Sequence, residues 1–188
     1  MKTTGKKPGE WSAIRQHLAT WEKPALLALV KDLYEAAAEN RHFLLARCQA
    51  EESGGLAVEK YRQKIVEQFF PRRRLMGELK LGEARKAIRD YRKATGNTAG
   101  TAELLMTYVE NGAEFTAQFG NIDQRFYSSI ESALEELAVL LRGEARPLYP
   151  QFADRLARIE ERTAGIGWGF HDFISDVVRQ LAEELGGA

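Results

Sequence analysis

The sequence predicts an all-α protein, an irregular multi-helix bundle of about seven to nine helices. Apolar residues recur every three to four positions along almost the whole chain. Strong helix formers (Ala, Leu, Glu and Arg) are abundant, and only 5 of the 188 residues are proline. No segment alternates between apolar and polar residues as a strand does. Because no repeat of fixed length is present, helical-repeat-like stacking is the alternative rather than the first choice.

The N-terminal helices are predicted from apolar spacing and from one proline. Trp11 begins a short first helix, and Pro24 suits the first turn of a second, where its missing N–H costs nothing. Helical character then continues to about Gln49, and the sequence ESGG (52–55) is a break. The second helix carries an apolar stripe formed by Leu26, Leu29, Val30, Leu33 and Tyr34.

The later helices are separated by residues that start or stop helices. Pro71 disfavours helical geometry at the preceding residue, and Gly96 and Gly143 each end a helix. Asp123 is placed as the N-cap of the helix that follows it. The predicted helices are Leu56 to Phe70, Glu83 to Lys93, Ala102 to Phe119, Asp123 to Leu141, one around Phe152 to Ile159, and a last one after Gly165.

Length and composition are those of a globular, cytoplasmic protein. The chain is long enough to bury a sizeable core, so we expect a single domain over residues 10–188 after a disordered tail at 1–9. The single cysteine, Cys48, excludes an internal disulfide, and its apolar surroundings predict a buried structural thiol. The basic N-terminus lacks the apolar segment of a secretory signal, and no window predicts a membrane span.

A net charge of zero conceals a basic middle and an acidic second half. Residues 60–93 hold twelve Lys or Arg against four Asp or Glu, whereas residues 103–176 hold six against thirteen. Two interpretations remain open: binding of nucleic acid or another phosphate, or contact with the acidic helices of the same chain or a second copy. The neutral chain favours the second. The predicted binding residues are Arg72, Arg73, Arg74, Arg85, Lys86, Arg89, Arg92 and Lys93.

Five acidic and histidine residues are candidates for catalysis. Glu110 and Glu114 share one helix face, and His171 and Asp172 open the last helix, as Asp123 opens an earlier one. Asp172 and Asp176 share a face of the last helix, and brought together with Glu110 and Glu114 these four carboxylates could hold a hard cation such as Mg²⁺ or act as acid and base. The alternative is that the helix dipole favours Asp172 in the first turn of its helix and that the other carboxylates face water. No cofactor and no metal is predicted.

The segment GIGWGFHD (165–172) allows a ligand-binding and a structural interpretation. A glycine-rich turn into a helix N-terminus can hold a phosphate, although a dinucleotide fingerprint requires a preceding strand, and here a helix precedes. The structural interpretation is favoured. In it, Gly165 ends one helix in left-handed geometry, and Trp168, Phe170 and Phe173 anchor the next helix in the core.

Two segments resemble signature stretches of an uncharacterised bacterial family, domain of unknown function 6155. They are YVENGAEFTAQFGNIDQRFYSSIES (108–132) and RTAGIGWGFHDFISDV (162–177), and KIVEQFFPRR (64–73) and EARKAIRDYRKAT (83–95) are similar to the family's middle region. The resemblance implies an all-helical bacterial cytoplasmic protein, and it implies no particular activity. It emphasises Glu110, Gly112, Glu114, Phe115, Phe119, Gly120, Asp123, Phe126, Tyr127, Gly167, Trp168, Gly169, His171 and Asp172.

These observations favour a non-enzymatic helical interaction domain that self-associates or binds a protein partner, with Arg72 to Lys93 as its surface. One alternative is a metal- or phosphate-dependent enzyme that uses Glu110, Glu114, Asp123, His171 and Asp172. The other is a nucleic-acid-binding accessory protein that uses the basic region.

Overall fold

The computed structural model describes residues 10–48, 54–71 and 79–186, and the prediction of an all-α bundle is confirmed for them. They form nine α-helices and one 3₁₀ turn, with no strand among the described residues. The helices are α1 Glu10–Leu18, α2 Lys23–Ala36, α3 Ala38–Cys48, α4 Gly54–Phe69, α5 Leu81–Thr95, α6 Thr98–Phe119, α7 Gln124–Arg142, α8 Tyr149–Thr163 and α9 Phe170–Leu185. The predicted tail at 1–9 lies outside these residues.

The chain divides into two compact units, Met1–Leu44 and Leu45–Ala188. The single domain that the sequence predicts over residues 10–188 stays a prediction. In the first unit, α2 has Pro24 in its first turn, as predicted, and none of its residues is buried. None of the helices in the described ranges is long and apolar enough to cross a membrane.

The core of the second unit is built around α6. This 22-residue helix is buried along most of its length and packs against α4, α5, α7 and α8, while α9 packs on α7 and α8. Gly112 lets α6 approach α7 closely, because a Cβ at this position would meet the side chain of Ile130. Gly100 likewise lets α6 approach α5, because a Cβ there would meet the hydroxyl group of Tyr91.

Most of the predicted helix ends are confirmed. The Asp123 carboxylate accepts a hydrogen bond from the backbone N–H of Phe126 at 2.8 Å and caps α7. Gly96 ends α5 in left-handed geometry, and Gly143 ends α7. Gly165 has a φ of +81° just after α8, also as predicted.

Two predictions about where the chain breaks between helices were wrong. The predicted helical stretch to Gln49 breaks at Ala37, whose backbone is extended. The side-chain amide of Asn40 donates to the carbonyl of Leu33 at 2.9 Å, which satisfies a carbonyl that the end of α2 leaves free. The predicted break at 52–55 is also too long, because Gly54 and the residue after it already belong to α4.

Helices α5 and α6 start earlier than predicted. Helix α5 begins at Leu81 rather than at Glu83. Helix α6 begins at Thr98 rather than at Ala102, because the Asn97 side chain caps it by accepting from the N–H of Gly100 at 2.9 Å.

Two predictions of burial were also wrong. Cys48 is exposed, at the last residue of α3. Trp168 is 64% exposed rather than in the core. Its φ of +64° places it in a left-handed turn between two glycines, and this turn leaves the indole in solvent. Phe170 is fully buried and Phe173 is half-buried, so Phe170 is the anchor of α9.

Candidate functional site

A row of ion pairs joins α6 to α8. On α6, Glu103, Glu110 and Glu114 are spaced by seven and four residues and share one face. Arg155 of α8 donates from Nε and Nη2 to the two carboxylate oxygens of Glu110 at 2.7 and 2.8 Å, and from Nη1 to Glu103 at 2.6 Å. One helical repeat later, Arg162 pairs with Glu114. Two predicted catalytic candidates, Glu110 and Glu114, are therefore ion-paired with arginines.

Helix α4 extends this row through Arg62. Its Nη2 donates to the second oxygen of Glu103 at 2.7 Å, and its Nη1 donates to the hydroxyl of Thr107 at 2.9 Å. Its Nε lies 3.1 Å from Glu59 on the same helix. The Glu103 carboxylate thus receives one arginine from α4 and one from α8, and it ties three helices together. The α6–α8 row denotes Arg62, Glu103, Glu110, Glu114, Arg155 and Arg162 below.

Charge pairing shifts the pKa values within the α6–α8 row. Burial alone would raise the pKa of the Glu103 carboxyl, but the hydrogen bonds and charges of Arg155 and Arg62 outweigh it and hold the pKa below its ordinary value. The hydrogen bonds that Arg155 donates to the Glu110 carboxylate are the largest cause that raises the pKa of Arg155. The Glu103 carboxylate therefore stays ionised near neutral pH, which suits structural pairing better than proton transfer.

Clefts lie beside the row. A cleft of about 330 Å³ between α4, α6 and α8 is lined in part by Glu59, Arg62 and Glu103, which already bind one another. A smaller cleft of about 120 Å³ is lined in part by Arg155 and Arg158. The charged groups of the first cleft are therefore committed to contacts within the protein.

The other three catalytic candidates, Asp123, His171 and Asp172, are not part of the α6–α8 row. His171 Nδ1 lies 3.3 Å from the hydroxyl of Thr163, Asp172 is exposed in the first turn of α9, and Asp123 caps α7. No hydrogen bond or ion pair in the described ranges links His171 or Asp172 to Asp123 or the two glutamates. Nor does any group of three or more His, Cys, Asp or Glu side chains there come together in a way that could hold a metal ion.

The basic region is partly neutralised by α7 of the same chain. Arg85 and Arg92 both contact Glu136, at 2.8 and 3.5 Å. The Arg85 guanidinium also lies over the ring of Tyr108, 5.7 Å from its centre. Of the other predicted binding residues, Lys86, Arg89 and Lys93 are exposed on α5. Arg72, Arg73 and Arg74 lie outside the described residues.

The first of the two signature segments forms the junction between α6 and α7. The hydroxyl of Tyr127 lies 2.9 Å from that of Thr116 and accepts from the N–H of Ile122 at 3.2 Å. The Thr116 hydroxyl donates to the carbonyl of Gly120 at 3.1 Å, so two side chains fix the turn. The Tyr127 ring then packs on Phe170 at 4.7 Å. The signature polar and aromatic residues here hold helices together.

The first unit presents the largest set of exposed apolar side chains. Nine large apolar side chains are exposed among the residues that the structure describes, and six of them lie between residues 11 and 33. They are Trp11 (67% exposed), Ile14 (51%), Trp21 (36%), Leu27 (59%), Val30 (41%) and Leu33 (48%). Exposed apolar side chains that form one patch mark a site of contact with another surface.

Helix α2 carries half of this set on one side. With about 100° of rotation per residue, Leu26, Val30, Leu33 and their apolar neighbours form a single stripe, and Asp32 and Glu35 lie opposite. Lys31 forms an exposed ion pair with Glu35 at 3.8 Å. The α2 stripe denotes Leu26, Leu27, Leu29, Val30, Leu33 and Tyr34 below.

No family model, no curated protein and no solved structure matches the chain.

The apolar spacing of the sequence predicts the α2 stripe, apart from Leu27, but not what covers it. Apolar spacing identifies the side of a helix that avoids water, and it does not reveal whether that side meets the same chain or another one. Arg155 was missed altogether. The signal was present, since Arg155 and Arg162 repeat the seven-residue spacing of Glu103 and Glu110.

Proposed function

We propose that this protein is a non-enzymatic helical interaction domain and that its contact surface is the α2 stripe. The observation that carries the proposal is that a 14-residue amphipathic helix buries none of its residues. A helix of this length is marginally stable alone in water, and in proteins most helical stability comes from packing of the apolar side. Helix α2 therefore requires a protein surface against its stripe.

This proposal moves the contact surface away from the basic region that the sequence suggested. Arg85 and Arg92 are engaged by Glu136, which agrees with the interpretation that basic residues face acidic helices of the same chain. The α6–α8 row is likewise closed by internal pairs. Among the described residues, most of the exposed large apolar side chains lie between residues 11 and 33, and exposed apolar patches mark sites of protein interaction.

We also propose membership of the bacterial family that the chain resembles. The α6–α7 junction supports it, because Phe126 and Tyr127 of the signature segment are buried there and Asp123 caps α7. A cytoplasmic location is part of the same proposal.

Photo-crosslinking tests the proposed surface. A photoreactive phenylalanine analogue at Leu33 lies in the α2 stripe, and the same analogue at Glu35 lies on the opposite side of the same helix. We expect adducts with protein in intact cells from position 33 and few from position 35. Equal yields from the two positions, or no adduct from position 33, would contradict the proposal.

A further inference from the structure

We infer that the partner of the α2 stripe is a second copy of this chain, so that the protein is a dimer held by its first two helices. The inference rests on the proposed function and names its partner. Three features of the described residues support it: charge, area and the composition of the stripe.

The charge of α2 is balanced. Lys23 and Lys31 stand against Asp32 and Glu35, so the helix has no net charge. Helices that bind anionic membranes are rich in Lys and Arg on the polar side, and nucleic acid likewise requires an excess of positive charge. A neutral apolar surface favours neither ligand, and it places no like-charge repulsion between two identical helices.

The available area suits a dimer. Six exposed apolar side chains lie between residues 11 and 33, three of them on α2 and three before it on α1 or in the turn that follows α1. With aromatic side chains contributing roughly 150–250 Å² each, the exposed parts of these six amount to roughly 600 Å² per copy. Two copies would bury about 1,200 Å² together, which lies at the lower end of the range for specific interfaces. The expected dimer is therefore one that dissociates on dilution.

The stripe is also chemically self-complementary. It consists of Leu, Val and Tyr side chains, and Lys23 is the charged residue on the same side, at the N-terminal end of the helix. Beyond Lys23, each copy supplies the apolar partner that the other lacks. A two-fold symmetric interface uses the same surface on both copies, which makes a self-complementary stripe suitable for it.

Sedimentation equilibrium on the full chain tests the inference with a matched pair of variants. Val30→Glu places a charge in the α2 stripe, and Ala28→Glu places the same charge on the opposite side of the same helix. We expect wild-type protein and Ala28→Glu to reach twice the mass of one chain at about 100 μM and to dissociate on dilution. We expect Val30→Glu to weaken the dimer at least tenfold, because the interface would bury a charge that has no partner. A factor of ten corresponds to about 1.4 kcal/mol.

Two outcomes would overturn the inference. One is a wild-type chain that stays monomeric at about 100 μM, and the other is a dimer that both variants weaken equally or not at all. The proposed function fails separately. If position 33 crosslinks only to a different protein while the purified chain is monomeric, self-association is wrong and the interaction domain stands. Circular dichroism of both variants shows whether they remain folded.

Discussion

Replacing Arg155 by leucine tests how much the α6–α8 row stabilises the second unit. The change removes three charge-assisted hydrogen bonds and leaves Glu103 and Glu110 without their shared partner. Leucine and arginine have similar helix propensities, so the backbone of α8 contributes little to the difference. The effect therefore reports the loss of the pairs.

The expected magnitude follows from the degree of burial. Breaking a fully buried ion pair by removing one partner costs about 3–5 kcal/mol, and an exposed pair contributes about 0–1 kcal/mol. The exposed fractions of these side chains are 20% for Arg155, 25% for Glu103 and 34% for Glu110. We therefore expect Arg155→Leu to lower the free energy of unfolding by about 2–3 kcal/mol.

Urea denaturation followed by circular dichroism measures this loss, with Arg179→Leu as the control. Arg179 pairs with Asp176 on the same helix, and both side chains are more than half exposed. The control should change the free energy of unfolding by less than about 0.5 kcal/mol. If the two variants lose the same amount, the row contributes no more than an ordinary surface pair, and the reasoning from burial is refuted.

The pH dependence gives an independent readout of the same row. The pKa of Glu103 is lowered in the folded chain. Its contribution is therefore fully present above the unfolded pKa of about 4.3 and is lost as the pH falls through the lower folded value. Arg155→Leu should reduce the loss of stability below about pH 4.3 relative to wild type.

Three further changes test other parts of the structure. Gly112→Ala should cost about 1–3 kcal/mol by overpacking against Ile130, and in an Ile130→Val background thermal denaturation should show a smaller cost; equal costs would exclude that contact. Asp123→Ala should lower the free energy of unfolding by about 1 kcal/mol through loss of the cap on Phe126 N–H, and an unchanged urea midpoint would contradict this. Trp168→Asn should raise stability by about 0.5–1 kcal/mol, because asparagine tolerates left-handed geometry and the exposed indole contributes no core contact; a loss of melting temperature would count against it.

The sequence predicted the helices well because helix periodicity and stop residues are local signals. The structure confirms the predicted helix start at Asp123 and the predicted helix ends at Gly96 and Gly143. Each of these residues affects the backbone next to it in the sequence. The break at Ala37 was missed because it depends on a side-chain hydrogen bond from Asn40 that spans seven residues. No glycine or proline marks that position.

The candidate site was harder to predict because it depends on contacts between distant residues. Glu110 was predicted as a candidate catalytic carboxylate because its partner, Arg155, lies 45 residues later in the sequence. The burial of Trp168 was predicted wrongly for a related reason. Apolar character alone favours the core, whereas a left-handed backbone at that position leaves the side chain exposed.

Hydrogen exchange of the α2 backbone tests the central claim most directly. If α2 is stabilised by a protein bound to its stripe, the amides of Lys23–Ala36 should be protected at about 100 μM wild-type chain. The protection should fall on dilution and be absent in Val30→Glu while Ala28→Glu retains it. Amides that exchange freely at every concentration, or that stay equally protected in Val30→Glu, would contradict the inferred dimer.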